Sequence, residues 1–255
     1  QWKDYSKLEI KPDDLIGNLR RASEFVHARE VAKLGKPIDR TEWFMNPQTV
    51  NAYYNPQMNE IVFPAAILQP PFFNMKADDA VNYGAIGMVI GHEIGHGFDD
   101  QGRRSDGDGN LRDWWTQSDA KAYGERTRQL VDQYAQFEPL EGQKVNGQLT
   151  LGENIGDLGG LTLAWRAYQK SLEGQTPADI DGYSGAKRFF LSLAQIWRIN
   201  TRPEMIMRRL KTDTHSPPKF RVNGPLTNFQ PFYDVFGVSE SDQMWRPEGD
   251  RVSIW

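Results

Sequence analysis

The stretch Val89-Ile-Gly-His92-Glu93-Ile-Gly-His96-Gly is the most informative part of the 255-residue sequence. It carries the pattern H-E-x-x-H, with apolar residues and glycines between and around the two histidines. On a helix, positions i and i+4 lie one turn apart on one face, so both imidazoles can reach one metal ion. The apolar flanks predict a buried helix. The pattern is typical of catalytic zinc sites, so we expect His92 and His96 to bind Zn²⁺ and Glu93 to take a proton from water on the metal.

A third metal ligand is predicted in the segment Gly152-Glu153-Asn-Ile-Gly-Asp157-Leu-Gly-Gly. Glu153 and Asp157 are again four residues apart on a predicted helix. Glu153 would complete the metal site, and Asp157 would accept the N–H of a ligand histidine. The alternative is a carboxylate at a helix start facing the helix dipole, with a solvated aspartate. The neighbouring glycines and leucines favour close helix packing and speak against that alternative.

The sequence has two further histidines, His27 and His215. His27 lies among charged residues, so we expect it to be solvated. His215 precedes Pro217-Pro218, which stiffen the chain, and Arg221 follows. A rigid segment with His and Arg could present donors to a developing oxyanion and to a carbonyl. An ordinary surface loop explains the same residues equally well.

Two other patterns favour simpler interpretations. Asp106-Gly-Asp-Gly-Asn110 resembles the start of a Ca²⁺ loop but lacks the glycine at position six and the glutamate at position twelve, so a plain turn is favoured. The glycines at 84, 87, 91 and 95 predict close helix packing in a soluble protein rather than a membrane helix pair.

Composition narrows the class of protein. Apolar residues make up 38% and charged residues 25%, as in soluble globular proteins, and the net charge of −4 does not favour nucleic acid as a partner. With no cysteine, neither a disulfide nor a catalytic thiolate exists. The N-terminus, Gln1 to Asp4, lacks both Met and a signal-peptide pattern, which leads us to expect a processed chain or part of a longer one.

Hydrophobic periodicity predicts a mainly α fold with a small β-sheet, in a single domain over residues 1–255. The β element is a hairpin formed by residues 50–54 and 60–63. A second short hairpin is expected at 144–151, around Asn146-Gly147, and a loop-rich tail from Pro217 onwards. Helices are predicted at 13–35, 78–98, 116–137, 153–171, 184–200 and 203–211.

Taken together, the motifs strongly resemble the neprilysin and endothelin-converting-enzyme family of zinc metallopeptidases. The matching stretches run from about residue 40 to the C-terminus and include the terminal Trp255. The resemblance implies the catalytic domain of a thermolysin-like zinc metallopeptidase, with one zinc ion per chain. Besides the two motif segments, the matches are Val50-Asn-Ala-Tyr-Tyr54, Ile61-Val-Phe-Pro-Ala, Ile67-Leu-Gln-Pro-Pro-Phe-Phe73, Asn82-Tyr-Gly, Arg202-Pro-Glu and Lys211 to Gly224.

The resemblance also implies a role for each matching position. His215 would stabilise the transition state, and Arg221 would bind a substrate carbonyl. Asn51 and Ala52 would hold the peptide backbone at a strand edge, a form of β-augmentation. The zinc ligands would be His92, His96 and Glu153, with Glu93 as base and Asp157 behind them, and the apolar pocket after the scissile bond would be walled by Phe72, Val89 and Trp197.

Two departures from the family pattern shape the expectations about source and completeness. Val238 and Val252 stand where eukaryotic members would carry cysteines, which points to a bacterial member. Family members are much longer, with an N-terminal helical lobe over the active site, so that lobe of the same protein is an expected partner. A location outside the cytoplasm, whether secreted, periplasmic or on the cell surface, is implied by the resemblance alone.

The leading functional hypothesis is a zinc endopeptidase that acts on oligopeptides. An exopeptidase or carboxypeptidase preference is the first alternative, because Arg221 could face a terminal carboxylate. A catalytically inactive peptide-binding domain is the second alternative, although Glu93 and all three ligands are present. The sequence names neither the natural peptide nor the oligomeric state.

Overall fold

The computed structural model describes residues 3–254, and the matching position Trp255 lies outside them. The chain divides into two compact units, Gln1–Asn46 and Pro47–Trp255. In the first unit, helix α1 spans Leu15–Val31, and the Asp14 carboxylate caps it by accepting from the backbone N–H of Gly17. The prediction of a helix at 13–35 is confirmed with shorter ends. The prediction of a single domain over the whole chain stays a prediction.

The second unit begins with the β element. Strand β1 (Tyr53–Asn55) pairs antiparallel with β2 (Glu60–Val62), with Tyr53 opposite Val62. The Asn55 side chain closes the turn, because its oxygen accepts from the backbone N–H groups of Gln57 and Met58. The predicted hairpin is therefore confirmed, although β1 starts after residues 51 and 52.

Helices are the main regular structure of the second unit, so the expectation of a mainly α fold with a small β-sheet is confirmed. Among the described residues, no helix has the length and apolar character needed to cross a membrane. The helices are α2 (Asp79–Asn82), α3 (Met88–Gly95), α4 (Gln117–Tyr134), α5 (Leu151–Ser171), α6 (Gly185–Ile196), α7 (Pro203–Thr212), α8 (Pro218–Leu226) and α9 (Gln230–Phe236).

The segment expected as one helix over 78–98 is continuous but not uniform. A π-helical turn (Tyr83–Gly87) joins α2 to α3, and a short 3₁₀ turn (His96–Phe98) follows α3. Gly84, in the widened turn, lies against the backbone of α6: a Cβ there would be 2.1 Å from the carbonyl oxygen of Phe189. The wide turn thus coincides with a point of very close backbone approach.

The central packing contact of the unit is between α3 and α5. Glycines on both helices let the backbones approach, since a Cβ on Gly91 would lie 2.9 Å from Gly160 Cα, and a Cβ on Gly160 would lie 2.7 Å from His92 N. One core cluster surrounds α5 and α6 with Leu161, Phe189 and others, and another joins α4 and α5 to the C-terminal segment. The expectation that the glycines serve close packing is confirmed at Gly91.

Two sequence predictions about this unit are wrong. Residues 144–151 form no hairpin: the Asn146 side chain accepts from Leu149 N–H, and its carbonyl accepts from Thr150 N–H, so the segment turns directly into α5. The tail after Pro217 is not loop-rich, because α8 and α9 both lie within it. Proline starts each helix at one of its first two positions, where its missing N–H has no cost.

Candidate metal centre

The H-E-x-x-H residues lie on α3 and at its C-terminal end, on the side that faces α5. His92 and Glu93 are both buried, and the His96 ring stands edge-on to the His92 ring, with centroids 4.6 Å apart. The arrangement follows from the spacing, since residues four apart lie one above the other on a helix. Burial follows from the Gly91 contact, which brings the α5 backbone against this face.

Helix α5 brings the other half of the site. Glu153 lies in its first turn, and Asp157 follows one turn later, fully buried. Gly156 lies between them, and a Cβ there would be 2.7 Å from His92 Nδ1. The absence of side chains at Gly156 and Gly160 therefore leaves the space that the His92 imidazole fills.

Three side chains bring donor atoms together at the contact of the two helices. The donor atoms of His92, His96 and Glu153 all lie within 4.8 Å of one another. His92 Nε2 is 3.2 Å from Glu153 Oε2, and His96 Nε2 is 3.8 Å from Glu153 Oε1. Ligands about 2.0–2.1 Å from a tetrahedral zinc ion lie about 3.4 Å apart, so the set has the right donors at suitable separations.

The surroundings of the donors fit a metal equally well. Glu153 Oε2 is buried, and none of its neighbours meets hydrogen-bond geometry. His92 Nδ1 lies 2.9 Å from Asp157 Oδ1, and His96 Nδ1 lies 2.7 Å from Asp99 Oδ2. Each imidazole is thus oriented by a carboxylate through Nδ1, and its Nε2 is directed to the shared centre. The residues present fit a zinc ion.

Asp99 is a functional residue that the sequence reasoning missed. Its Oδ2 faces His96, and its Oδ1 accepts from the backbone N–H groups of Gln101 and Gly102, which fix the carboxylate. The signal was available as the three-residue spacing from His96 to Asp99 within the motif segment. An aspartate just after a helix is usually a local cap, so this spacing alone does not indicate a residue of a metal site.

Arg221, on α8, pairs with the carboxylate behind the metal site. Its Nε donates to Asp157 Oδ2 at 2.8 Å and its Nη2 to Asp157 Oδ1 at 2.7 Å, a bidentate ion pair in full burial. The guanidinium also stacks over the Trp197 ring, 4.0 Å from its centroid. These contacts use Nε and Nη2, which leaves Nη1 outside them.

His215 reaches the site from the short segment between α7 and α8. Its Nε2 is 3.1 Å from Glu153 Oε2, and its Nδ1 is 2.8 Å from Asp213 Oδ1. Asp213 was not anticipated, although it lies two residues before the histidine. His27, expected to be solvated, is exposed on α1, far along the sequence from these residues.

The electrostatics separate the two glutamates. Burial raises the pKa of Glu93. Burial would also raise the pKa of Glu153, but its contacts with His215 and His92 outweigh burial and hold this pKa well below its ordinary value. For His92, burial lowers the pKa, but the carboxylates of Asp157 and Glu153 outweigh burial and raise it to about 9. The contacts of Glu153 thus favour its anionic form, whereas burial makes Glu93 the more basic of the two carboxylates.

The residues expected to contact substrate lie in different settings. Asn51 is exposed, and Ala52 is buried in one apolar cluster with Val89, against which Phe72 packs. Trp197 packs against a different cluster, next to Arg221. A cavity of about 350 Å³ lies beside the C-terminal end of α3, lined by Tyr54, Gly97, Trp114 and others, and its lining includes none of the metal-binding candidates. The apolar pocket for the residue after the scissile bond therefore stays a prediction.

A helical fold that sets an H-E-x-x-H helix against a second helix bearing a carboxylate defines the zinc metallopeptidase class. The sequence model for peptidase family M13 matches residues 51–252. Since this match covers most of the chain, the chain belongs to peptidase family M13. The resemblance to the neprilysin and endothelin-converting-enzyme family is confirmed.

Individual relatives agree with this assignment. Human neprilysin is 42% identical over 258 residues, which cover 99% of this chain and 34% of neprilysin, and an endothelin-converting enzyme homologue of Locusta migratoria is 45% identical, covering 92% and 32%. The inhibitor complex of zinc metalloprotease ZMP1 from Mycobacterium tuberculosis matches with a TM-score of 0.95 and 56% identity, over 100% of this chain and 40% of that one. The chain thus spans about a third of the length of the curated relatives it matches.

Proposed function

We propose that this chain is the catalytic part of a zinc-dependent endopeptidase that hydrolyses internal peptide bonds of oligopeptides. One observation carries the proposal: three donor atoms of a zinc-type ligand set lie within 4.8 Å of one another. Membership of a peptidase family and similarity to proteins named neprilysin and endothelin-converting enzyme support it.

In this proposal, His92, His96 and Glu153 hold one zinc ion. When bound, zinc supplies Lewis-acid chemistry that polarises a carbonyl and makes water a nucleophile at neutral pH. Asp157 and Asp99 keep each imidazole in the orientation that points Nε2 at the metal. The residues of α3 and α5 thus prearrange the ligands, and the ion need not reorganise them.

Glu93 is the proposed general base. It follows a ligand histidine directly, is buried, and has a pKa raised by that burial. A carboxylate with this tendency to accept protons removes one from the attacking water as the water adds to the peptide carbonyl carbon. The same carboxyl group then delivers the proton to the departing amine nitrogen, which completes the cleavage.

His215 and Arg221 are proposed to act on the peptide carbonyl groups. The His215 side chain is 44% exposed, so its ring is accessible to solvent and to bound substrate, and it can donate to the oxyanion that forms during attack. Arg221 is anchored by Asp157 through Nε and Nη2, which leaves Nη1 to bind a carbonyl oxygen of bound substrate.

Substrate binding is proposed for residues around the hairpin and the apolar clusters. Asn51 and Ala52 come just before β1. In the described sheet β1 pairs with β2 on one side only, so a substrate peptide could add as a strand along the other edge of β1. Phe72, Val89 and Trp197 would form the pocket for the side chain after the scissile bond. Phe72 and Val89 share one apolar cluster, which supports a common wall.

The Arg221 geometry favours an endopeptidase over a carboxypeptidase. A terminal carboxylate is recognised best by two parallel N–H groups of an arginine. Asp157 uses the Nε–Nη2 edge of Arg221, and Nη2 also lies 3.5 Å from His92 Nδ1 and 3.6 Å from Glu153 Oε2, so Nη1 is the group that suits a single carbonyl contact.

We further propose that an N-terminal helical lobe of a longer protein covers this site and limits access to short peptides. The family resemblance supports this, and the curated relatives are about three times as long as the chain. A location outside the cytoplasm and a bacterial source stay predictions that rest on the resemblance.

The experiment combines metal analysis with cleavage mapping. A quenched fluorescent peptide is prepared in two forms, one blocked at both ends and one with free ends, each form is incubated with the zinc-loaded protein, and the products are identified by mass spectrometry. We expect cleavage at internal bonds, loss of turnover with a zinc chelator, and recovery on adding zinc. Cleavage restricted to unblocked ends would favour the exopeptidase alternative, and zinc binding without turnover would favour an inactive peptide-binding domain.

A further inference from the structure

A chain of buried hydrogen bonds runs beside the metal centre, in addition to the contacts already described. Ser216 Oγ donates to Asn154 Oδ1 at 2.8 Å, Asn154 Nδ2 donates to Thr150 Oγ1 at 2.9 Å, and Thr150 Oγ1 donates to the Asn146 carbonyl at 3.1 Å. Ser216 is 2% exposed and Asn154 is fully buried. These three hydrogen bonds therefore join the segment before α8 to the turn that leads into α5.

The donor and the acceptor of each of these three hydrogen bonds are fixed. The Thr150 hydroxyl proton goes to the Asn146 carbonyl, so Thr150 Oγ1 can only accept from the Asn154 NH₂ group. The Asn154 carbonyl oxygen must then face Ser216, which must donate. The side-chain oxygen and nitrogen atoms that link Ser216, Asn154 and Thr150 thus each have a partner, as buried polar groups require.

The two residues joined by the first of these bonds, Ser216 and Asn154, each follow a residue of the metal centre or its surroundings. Ser216 follows His215, and Asn154 follows Glu153. His215 and Glu153 themselves are in contact at 3.1 Å. A side-chain bond 2.8 Å long, one residue further along each element, thus holds together the backbone segments that carry this contact.

His215 depends on such an anchor more than a buried residue would. Its side chain is 44% exposed, and its ring is held by Glu153 and by Asp213, which belongs to the same short segment. Only residues 213–217 separate α7 from α8, so a shift of Ser216 moves the histidine with it. Misplacing a catalytic group by about 1 Å can cost about 100-fold in rate.

We propose that Ser216 and Asn154 are positioning residues, which fix the His215 imidazole relative to Glu153 through their buried hydrogen bond. The inference rests on the proposed function, since it assigns His215 to the reaction. Because an oxyanion donor acts mainly in the transition state, loss of the bond lowers kcat and leaves KM nearly unchanged.

The kinetic test uses single and double variants of the zinc-loaded protein. Ser216→Ala and Asn154→Ala are each expected to lower kcat about 10-fold with KM changed less than about twofold, and the double variant is expected to be no slower than the slower single variant. Ser216→Thr keeps the donor and should recover most of the rate. Additive losses in the double variant would contradict the proposed bond.

Ser192→Ala is the matched control for the loss of a buried serine hydroxyl. Ser192 is 5% exposed and donates to the Val81 carbonyl at 2.7 Å, on α6 and away from His215. We expect a similar fall in melting temperature for Ser192→Ala and Ser216→Ala, but an unchanged kcat for Ser192→Ala. If both variants lower kcat alike, the Ser216 effect is a general loss of stability and the proposal is overturned.

A second measurement does not depend on turnover. With four histidines in the sequence, the ¹H–¹⁵N signals of the imidazoles can be assigned by substitution. In the metal-free protein, Ser216→Ala should shift or broaden the His215 signals, and Ser192→Ala should leave them unchanged. Unchanged His215 signals in Ser216→Ala would overturn the proposal. If the parent binds zinc but never turns over, the proposed function fails, and these signals still test the positioning role.

Discussion

Two histidines from different parts of the molecule reach the same oxygen atom by different means. His92 Nε2 lies 3.2 Å from Glu153 Oε2, and His215 Nε2 lies 3.1 Å from it. The His92 side chain is 7% exposed, between helix backbones that only glycines allow so close. The His215 side chain is 44% exposed and is held by polar contacts of a five-residue segment.

The site therefore has a packed half, which is formed by helices α3 and α5, and a hydrogen-bonded half, which is formed by residues 213–217. Helices α3 and α5 hold the metal donors in place through close backbone contact. Such tight packing changes little until an added side-chain atom no longer fits between the helices. The segment with His215 is held by individual hydrogen bonds, each worth about 0.5–1.5 kcal/mol net. Damage to the first half should therefore affect metal binding and stability, and damage to the second should affect rate.

The largest effect of the ordered tests is expected for His215→Phe, which removes the hydrogen-bonded half while leaving the packed half intact. An oxyanion donor contributes about 10²–10³ to kcat, so we expect a loss of that size with KM and zinc content close to the parent values. The control is His27→Phe, because His27 is exposed on α1 and its replacement should leave kcat, KM and zinc content unchanged. A raised KM with an unchanged kcat would instead give His215 a role in ground-state binding.

A smaller effect is expected when the carboxylates behind the ligand histidines are neutralised. Asp157→Asn should weaken zinc binding about 100-fold, because Asp157 is fully buried and also balances Arg221, whose buried charge would lose its bidentate partner. Asp99→Asn should weaken it about 10-fold, since the amide oxygen can still accept from the backbone. Competition with a zinc chelator measures the zinc dissociation constants of both variants. A larger loss of affinity in Asp99→Asn than in Asp157→Asn would show that burial of the carboxylate does not determine its contribution to zinc binding.

The smallest change in the chain, one methyl group, tests the packing directly. Gly156→Ala places a Cβ 2.7 Å from His92 Nδ1, so we expect a loss of about 1–3 kcal/mol in the free energy of unfolding and weaker zinc binding. Gly124→Ala is the matched control: Gly124 lies in α4 with nothing within 4 Å of its added Cβ, and alanine should stabilise that helix by up to about 1 kcal/mol. Chemical denaturation measures both, and equal effects would mean that α5 adjusts without strain.

The packed half was easier to predict from the sequence than the hydrogen-bonded half. The spacing of His92 and His96, and of Glu153 and Asp157, repeats the helical turn, so regular geometry alone places these side chains. Glycines in both segments pointed to close packing, and the contact of α3 with α5 confirms it. Regular periodicity also predicted most helices and the hairpin.

Features that depend on irregular backbone or on long-range contacts could not be predicted. The link from Ser216 to Asn154 spans 62 residues and involves residue types that are common in any loop. Asn146-Gly147 is a strong hairpin signal by itself, but Asn146 caps a turn into α5 instead. The helices after Pro217 were hidden by prolines, which break a helix in its interior but begin α8 and α9.

The most direct test of the central claim compares two glutamates that differ in their proposed relation to zinc. Glu93→Gln and Glu153→Gln each replace a carboxylate by an amide, at a buried position of α3 and at a half-buried position of α5. Zinc content and peptide turnover are measured for both in parallel with the parent. We expect Glu93→Gln to keep one zinc ion per chain but to lose at least about 100-fold in kcat, and we expect Glu153→Gln to bind zinc much more weakly. Parental turnover in Glu93→Gln, or parental zinc affinity in Glu153→Gln, would contradict the central claim.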